Sequence, residues 1–120
     1  MWKNFLIVGA GGALGSMIRY SFSVAAAYLQ WSALAATFAS NILGSALIGF
    51  IMAICSNNSL FLFGTVGICG GFTTFSTFSA QTFAYLQAGQ YDWALGYAVF
   101  SIVSCVLAVG VGMYIGKLFV

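Results

Sequence analysis

The run Gly70-Gly71-Phe72-Thr73-Thr74-Phe75-Ser76-Thr77-Phe78 carries two adjacent glycines and four hydroxyl side chains inside an otherwise apolar, membrane-length segment. Such a run is poor material for a lipid-facing helix. Non-helical backbone at membrane depth is tolerated only where protein buries it or where it lines a wet path. Helix propensity falls at Gly70-Gly71 and again at Thr73-Thr74, so the sequence predicts a break near residues 70–74. Carbonyl oxygens freed by a break can coordinate a hard monovalent cation without any carboxylate. Beyond the break, Phe75 and Phe78 sit at i, i+3 and share one helix face, with Ser76 and Thr77 nearby but pointing elsewhere. A phenyl ring has a positive edge and a negative face, so the two edges can meet a small anion while the rings stay hydrophobic. Ordinary aromatic packing accounts for the same spacing.

Three other groups could take part. Arg19 is an intramembrane cation, which is expensive and by default functional. No span offers it an acidic partner, so it needs carbonyls, hydroxyls, interfacial water or an anion, unless it snorkels to the interface. Asn41 has Thr37 one turn before it and Ser45 one turn after, giving a row of donors along one helix face. Tyr97, Ser101 and Cys105 repeat that spacing near the C-terminus. Hydrogen bonding between helices is the alternative role for the Asn41 row, and serine or threonine can also bond back to its own helix. Hydroxyls, one amide and one guanidinium are suited to line an anion path. There is no buried carboxylate to bind an organic cation or relay protons.

The elements that must position these groups follow from composition. Of 120 residues, 62% are hydrophobic and 3% charged, with no His, Glu or Pro. A soluble domain of this size carries roughly a quarter charged residues, so the chain reads as an integral membrane protein of one domain. Polar clusters at Gln30-Trp31-Ser32, Ser56-Asn57-Asn58-Ser59 and residues 87–92 divide it into four apolar spans, about 5–29, 33–55, 60–86 and 93–119. Each has at least the ~20 residues that cross a ~30 Å hydrocarbon core. Trp2, Trp31, Tyr91 and Trp93 fall near span ends, where amphipathic rings prefer the interface. Four spans place Lys3 and Lys117 on one side, with Arg19 in the far half of its span and Asp92 in a far-side loop. Orientation follows such Lys/Arg differences. This one is feeble enough for insertion both ways round. Small residues at helix-packing spacing (Gly9, Gly12 and Gly15; Gly44 and Gly49; Gly112 and Gly116) fit close helix approach.

Several function classes drop out. The stretch Val8-Gly9-Ala10-Gly11-Gly12-Ala13-Leu14-Gly15 mimics a dinucleotide-binding turn. That motif needs an acidic residue about 20 positions on, within a βαβ unit, and the only acid here is Asp92. With no His and no acid pair, hydrolase and metal-enzyme constellations fail, so no enzyme is expected. Cys55, Cys69 and Cys105 lack metal-like spacing and read as small apolar packing residues. Ala25-Ala26-Ala27 resembles a signal-peptide cleavage site, but Arg19 interrupts the preceding apolar region, which is also too long. The net charge of +2 without a basic run gives no reason to expect a nucleic-acid partner.

With these residues in view, the chain closely resembles the fluoride channel (Fluc/CrcB) family. The resemblance rests on Gly11-Gly12-Ala13-Leu14-Gly15-Ser16-Met17-Ile18-Arg19-Tyr20, on Asn41 with Gly44, and above all on Gly67-Ile68-Cys69-Gly70-Gly71-Phe72-Thr73-Thr74-Phe75-Ser76-Thr77-Phe78. It covers essentially the whole chain. It implies an all-α membrane protein of four transmembrane helices with the third one broken, assembled as an antiparallel, dual-topology homodimer with two fluoride pores. It implies passive electrodiffusion of fluoride out of the cell across the plasma membrane (the inner membrane of a Gram-negative source), lowering cytoplasmic fluoride. It implies a structural sodium ion at the dimer centre, held by the main-chain carbonyls of Gly70 and Thr73 from both subunits. Phe75 and Phe78 would be the pore phenylalanines, Asn41 the pore amide, and Arg19 the basic residue of the first helix. Ser76 and Thr77 would lie beside the pore, and Thr37, Tyr97 and Ser101 match a polar track along it. The next serine of that track appears here as Cys105, whose thiol is a weaker donor. A small multidrug-type antiporter shares the short four-helix plan but depends on a membrane-embedded Glu, which this chain lacks. A non-transporting membrane assembly subunit is the other alternative.

Overall fold

A computed structural model describes residues 1–120. The first apolar span forms α1 (Trp2–Tyr28). It ends where Gln30 takes a positive φ of 62°, which lets Trp31 N–H reach the Ala26 carbonyl at 2.8 Å and Gln30 N–H reach Ala27 at 3.0 Å. These bonds satisfy carbonyls that the helix end would otherwise orphan. Ser32 then caps α2 (Ala33–Ile54), its Oγ accepting from Ala35 N–H at 3.1 Å.

The third span runs from Asn58 to Gln87, 30 residues in all. It begins two positions before the expected residue 60, because the Asn57 side chain accepts from Leu60 N–H at 2.9 Å and caps the turn. The span is built in pieces: α3 (Asn58–Leu62), a π-helical stretch (Phe63–Cys69), α4 (Gly70–Phe72), two extended residues, and α5 (Phe75–Gln87). Gly89, at φ 74°, turns the chain into α6 (Tyr91–Lys117). At ~1.5 Å per residue, α1, α2 and α6 each exceed the ~30 Å hydrocarbon thickness. The protein is all-helical, with four spans long and apolar enough to cross a membrane.

Glycines explain how the spans pair. The most extensive interfaces set α2 against α6 and α1 against the π-helical stretch. A Cβ on Gly49 would strike the Val109 carbonyl, and one on Gly112 the Ala46 carbonyl. On the other interface Gly11 and Gly67 face each other, and a Cβ on Gly71 would lie 2.5 Å from the Gly12 carbonyl and 3.0 Å from Ser16 N. Lipid tails are as apolar as leucine, so helices gain by close backbone approach rather than by hydrophobic burial. Only 20 of the 120 residues are buried, and most large apolar side chains point outward accordingly.

The break is sharper than the sequence predicts. Gly70 and Gly71 stay helical; the chain leaves the helix at Thr73 (φ −83°, ψ 158°) and Thr74 (φ −146°, ψ 113°). Gly71 serves contact with α1 instead, and the β-branched threonines supply the extended backbone. The π-helical stretch has no counterpart in the expectation, because apolar periodicity does not report one extra residue in a helical turn.

Candidate ion path at the break in the third span

Asn41 organises the break. Thr74 N–H donates to Asn41 Oδ1 at 2.8 Å, and Asn41 Nδ2 donates to the Thr74 carbonyl at 3.2 Å. A backbone N–H can only donate, which fixes the amide orientation. Thr74 also caps α5: its Oγ1 accepts from Thr77 N–H at 3.2 Å, donates to Thr77 Oγ1 at 3.1 Å, and lies 3.3 Å from Ser76 Oγ. Thr73 turns back on the preceding helix, its Oγ1 and its N–H both donating to the Cys69 carbonyl, at 2.8 and 3.0 Å.

This wiring leaves carbonyls over. Thr74 N–H, the helical donor for the Gly70 carbonyl, is committed to Asn41, and no backbone N–H reaches the Thr73 carbonyl. The Gly71 carbonyl instead accepts from Arg19 Nε at 3.0 Å. A backbone carbonyl was one of the partners Arg19 required. A guanidinium carries five N–H donors, so four of Arg19's remain uncommitted within the chain.

Beside the break lies a cavity of about 350 Å³ lined by Asn41, Ser45, Gly70, Thr73, Phe75, Phe78, Ser101 and Cys105, among others. The Ser101 hydroxyl is buried and has no hydrogen-bond partner. Phe75 is 77% exposed and Phe78 only 9%. Their ring centroids lie 5.6 Å apart at 42°. No carboxylate lines the cavity, and the sole acid, Asp92, sits in the first turn of α6.

Arg19 and four of the expected pore residues lie outside the cavity wall. The hydroxyls of Ser76 and Thr77 belong to the Thr74 cap. Tyr97 packs its ring on Phe78, centroids 5.2 Å apart, and donates its hydroxyl to Gln81 Oε1 at 2.8 Å. Gln81 Nε2 in turn donates to Thr37 Oγ1 at 3.0 Å, and Thr37 donates to the Ala33 carbonyl at 3.0 Å. Gln81 is the linking residue that the sequence reading passed over. Its signal was a carboxamide in a membrane span, one helical turn after Phe78. Chemically, the site offers an orphan hydroxyl, aromatic edges and bare carbonyls, with a guanidinium anchored at the break.

A family model described as "CrcB-like protein, Camphor Resistance (CrcB)" matches residues 6–113. A protein of Elusimicrobium minutum named fluoride-specific ion channel FluC is 42% identical over 119 residues, 97% of this chain and 95% of its own. Proteins of the same name from Phocaeicola vulgatus and Chlorobaculum tepidum are 38% and 39% identical. They match over 96% and 97% of this chain, and over 99% and 96% of theirs. The family model covers most of the chain and the relatives match it nearly end to end, so the chain belongs to the CrcB-like family.

Proposed function

We infer that this multi-pass membrane protein is a fluoride-selective ion channel. The observation that carries the reading is the cavity at the break. There the orphan Ser101 hydroxyl, the Asn41 amide and the Phe75–Phe78 pair converge without any carboxylate, in a chain whose relatives are named fluoride-specific channels. Fluoride is small and strongly hydrated, so a path must replace its water with fixed donors. Ser101 supplies an unspent hydroxyl. Phe75 and Phe78 supply positive ring edges that cannot form a deep electrostatic trap, so the ion can leave as readily as it enters. Transport is passive electrodiffusion: nothing here binds a nucleotide or relays protons, and a negative cell interior drives anions outward, lowering cytoplasmic fluoride. Thr37, Tyr97 and the linking Gln81 continue the polar track past Phe78, while Ser76 and Thr77 hold the α5 cap that aims the rings.

The functional unit of this reading is an antiparallel, dual-topology homodimer. The feeble charge bias permits insertion both ways. Phe75, a pore residue, is 77% exposed in the single chain, and Gly70 is exposed beside it, so a second copy would complete the wall. A structural sodium ion fits the same place. The Gly70 and Thr73 carbonyls have lost their helical donors, and hard oxygen ligands suit a hard monovalent cation. Two such carbonyls from each copy would hold it, and its charge would tie the two breaks together. Antiport of the multidrug type finds no Glu to run on.

The test is flux from liposomes. Purified protein is reconstituted, and fluoride and chloride efflux are followed with ion electrodes under a potassium gradient with valinomycin. Fluoride efflux far above chloride supports the channel. Equal efflux overturns the fluoride-selective reading, and no efflux overturns it in favour of the non-transporting assembly subunit.

A further inference from the structure

We propose that Gly44 is a positioning residue that sets the Thr73 carbonyl by receiving the Thr73 methyl group in the notch left by its missing side chain. The proposal deepens the sodium reading above and rests on it for its ion-binding arm. Gly44 is buried on α2, one turn after Asn41. A Cβ at Gly44 would overlap Thr73 Cγ2 and lie 3.3 Å from Phe72 Cδ1. The side-chain end it meets is a methyl on a β-branched residue, which has little χ1 freedom. Thr73 has less freedom still, because Oγ1 is bonded to the Cys69 carbonyl at 2.8 Å. Rotating the methyl out of the notch breaks that bond. Keeping the bond with a filled notch pushes the Thr73 backbone away from α2.

Two neighbouring positions on α2 therefore act on two neighbouring residues of the break. Asn41 holds Thr74 through its peptide groups, and Gly44 holds Thr73 through its shape. Between them the direction of the Thr73 carbonyl is fixed without any ligand to that oxygen from the chain itself. An ion bound by bare carbonyls depends on their direction, so the notch acts on affinity through Thr73 and not by contact with the ion.

The test is a size exchange, using Gly44→Ala, Thr73→Ser and the double variant. Thr73→Ser deletes the methyl and keeps the hydroxyl. Gly110→Ala, where a Cβ meets nothing within 4 Å, is the control. Thermal melting is titrated with sodium against a large organic cation, and hydrogen exchange is followed at the Thr74 amide. Gly44→Ala is expected to raise the sodium midpoint at least tenfold and to speed Thr74 exchange at least tenfold. The double variant is expected to recover most of both, and Gly110→Ala to change neither. If the unmodified protein shows no sodium dependence, the sodium reading fails, and Thr74 exchange alone decides on Gly44. Unchanged Thr74 exchange in Gly44→Ala overturns the proposal, as does a double variant no better than Gly44→Ala. Should Gly44→Ala not fold, folding of the double variant supports the notch, and its failure to fold overturns it.

Discussion

Asn41 and Thr74, 33 positions apart, exchange a reciprocal pair of hydrogen bonds in which one carboxamide stands in for the missing helical partners of one residue's N–H and C=O. An unsatisfied backbone group at membrane depth costs several kcal/mol. The polar break is thus stable only because a second span brings an amide to it. The same contact occupies most of the amide's capacity: Oδ1 and one Nδ2 proton serve Thr74, leaving one N–H without a partner in the chain on a residue that lines the cavity.

Asn41→Leu strands both Thr74 groups. Unpaired buried polar groups cost about 1–3 kcal/mol each, so a clear fall in melting temperature is expected together with loss of fluoride efflux. Asn41→Asp keeps the acceptor for Thr74 N–H but loses the donor to its carbonyl, and is expected to fall between. Melting and liposome flux measured on the same preparations check the order.

The two phenylalanines should separate stability from transport. Phe75 is mostly exposed and Phe78 almost wholly buried against Tyr97. Phe75→Ile is expected to cut fluoride efflux at least tenfold with a smaller fall in melting than Phe78→Ile. Phe78→Ile is expected to cut efflux as deeply and to lower melting as well, since large-to-small changes in packed sites commonly cost about 1 kcal/mol or more. Unchanged efflux in both would return the rings to a packing role.

Gln81 bridges Thr37 and Tyr97, and its removal is not equivalent to removal of the bridge. Gln81→Leu leaves a buried tyrosine hydroxyl without its acceptor, at about 1–3 kcal/mol, whereas replacing both partners by apolar groups approaches neutrality. Gln81→Leu is therefore expected to melt lower than the Gln81→Leu, Tyr97→Phe double variant. A double-mutant cycle by thermal melting reads the difference.

Two glycines of α6, two residues apart, should respond with opposite sign. A Cβ on Gly112 would meet the Ala46 backbone across the α2 interface, while one on Gly110 meets nothing. Gly112→Ala is expected to destabilise by about 1–3 kcal/mol through overpacking. Gly110→Ala is expected to be neutral or to stabilise by up to about 1 kcal/mol, because alanine favours the helix. Melting curves of both in the same detergent decide it.

Much of the architecture was legible in the sequence because the bilayer restricts the choices. Four apolar runs separated by polar clusters can only be spans, and two threonines behind two glycines can only be a weak point in one. Arg19 and Asn41 stood out for the same reason, since polar and charged side chains are costly at that depth, whereas the spacing of Phe75 and Phe78 fits ordinary packing and only the family resemblance singled them out. Tertiary structure alone decided what each group holds. It took the Gly71 carbonyl to Arg19 and the Thr74 peptide groups to Asn41. It confined the break to Thr73 and Thr74 within the expected stretch and kept the glycines helical, with the bareness of Gly71 serving the approach of α1. It inserted a π-helical stretch and recruited Gln81 as a link. Composition and spacing report how one segment meets its solvent, whereas these pairings depend on which backbones come close enough to touch, a property of two segments that neither sequence carries alone.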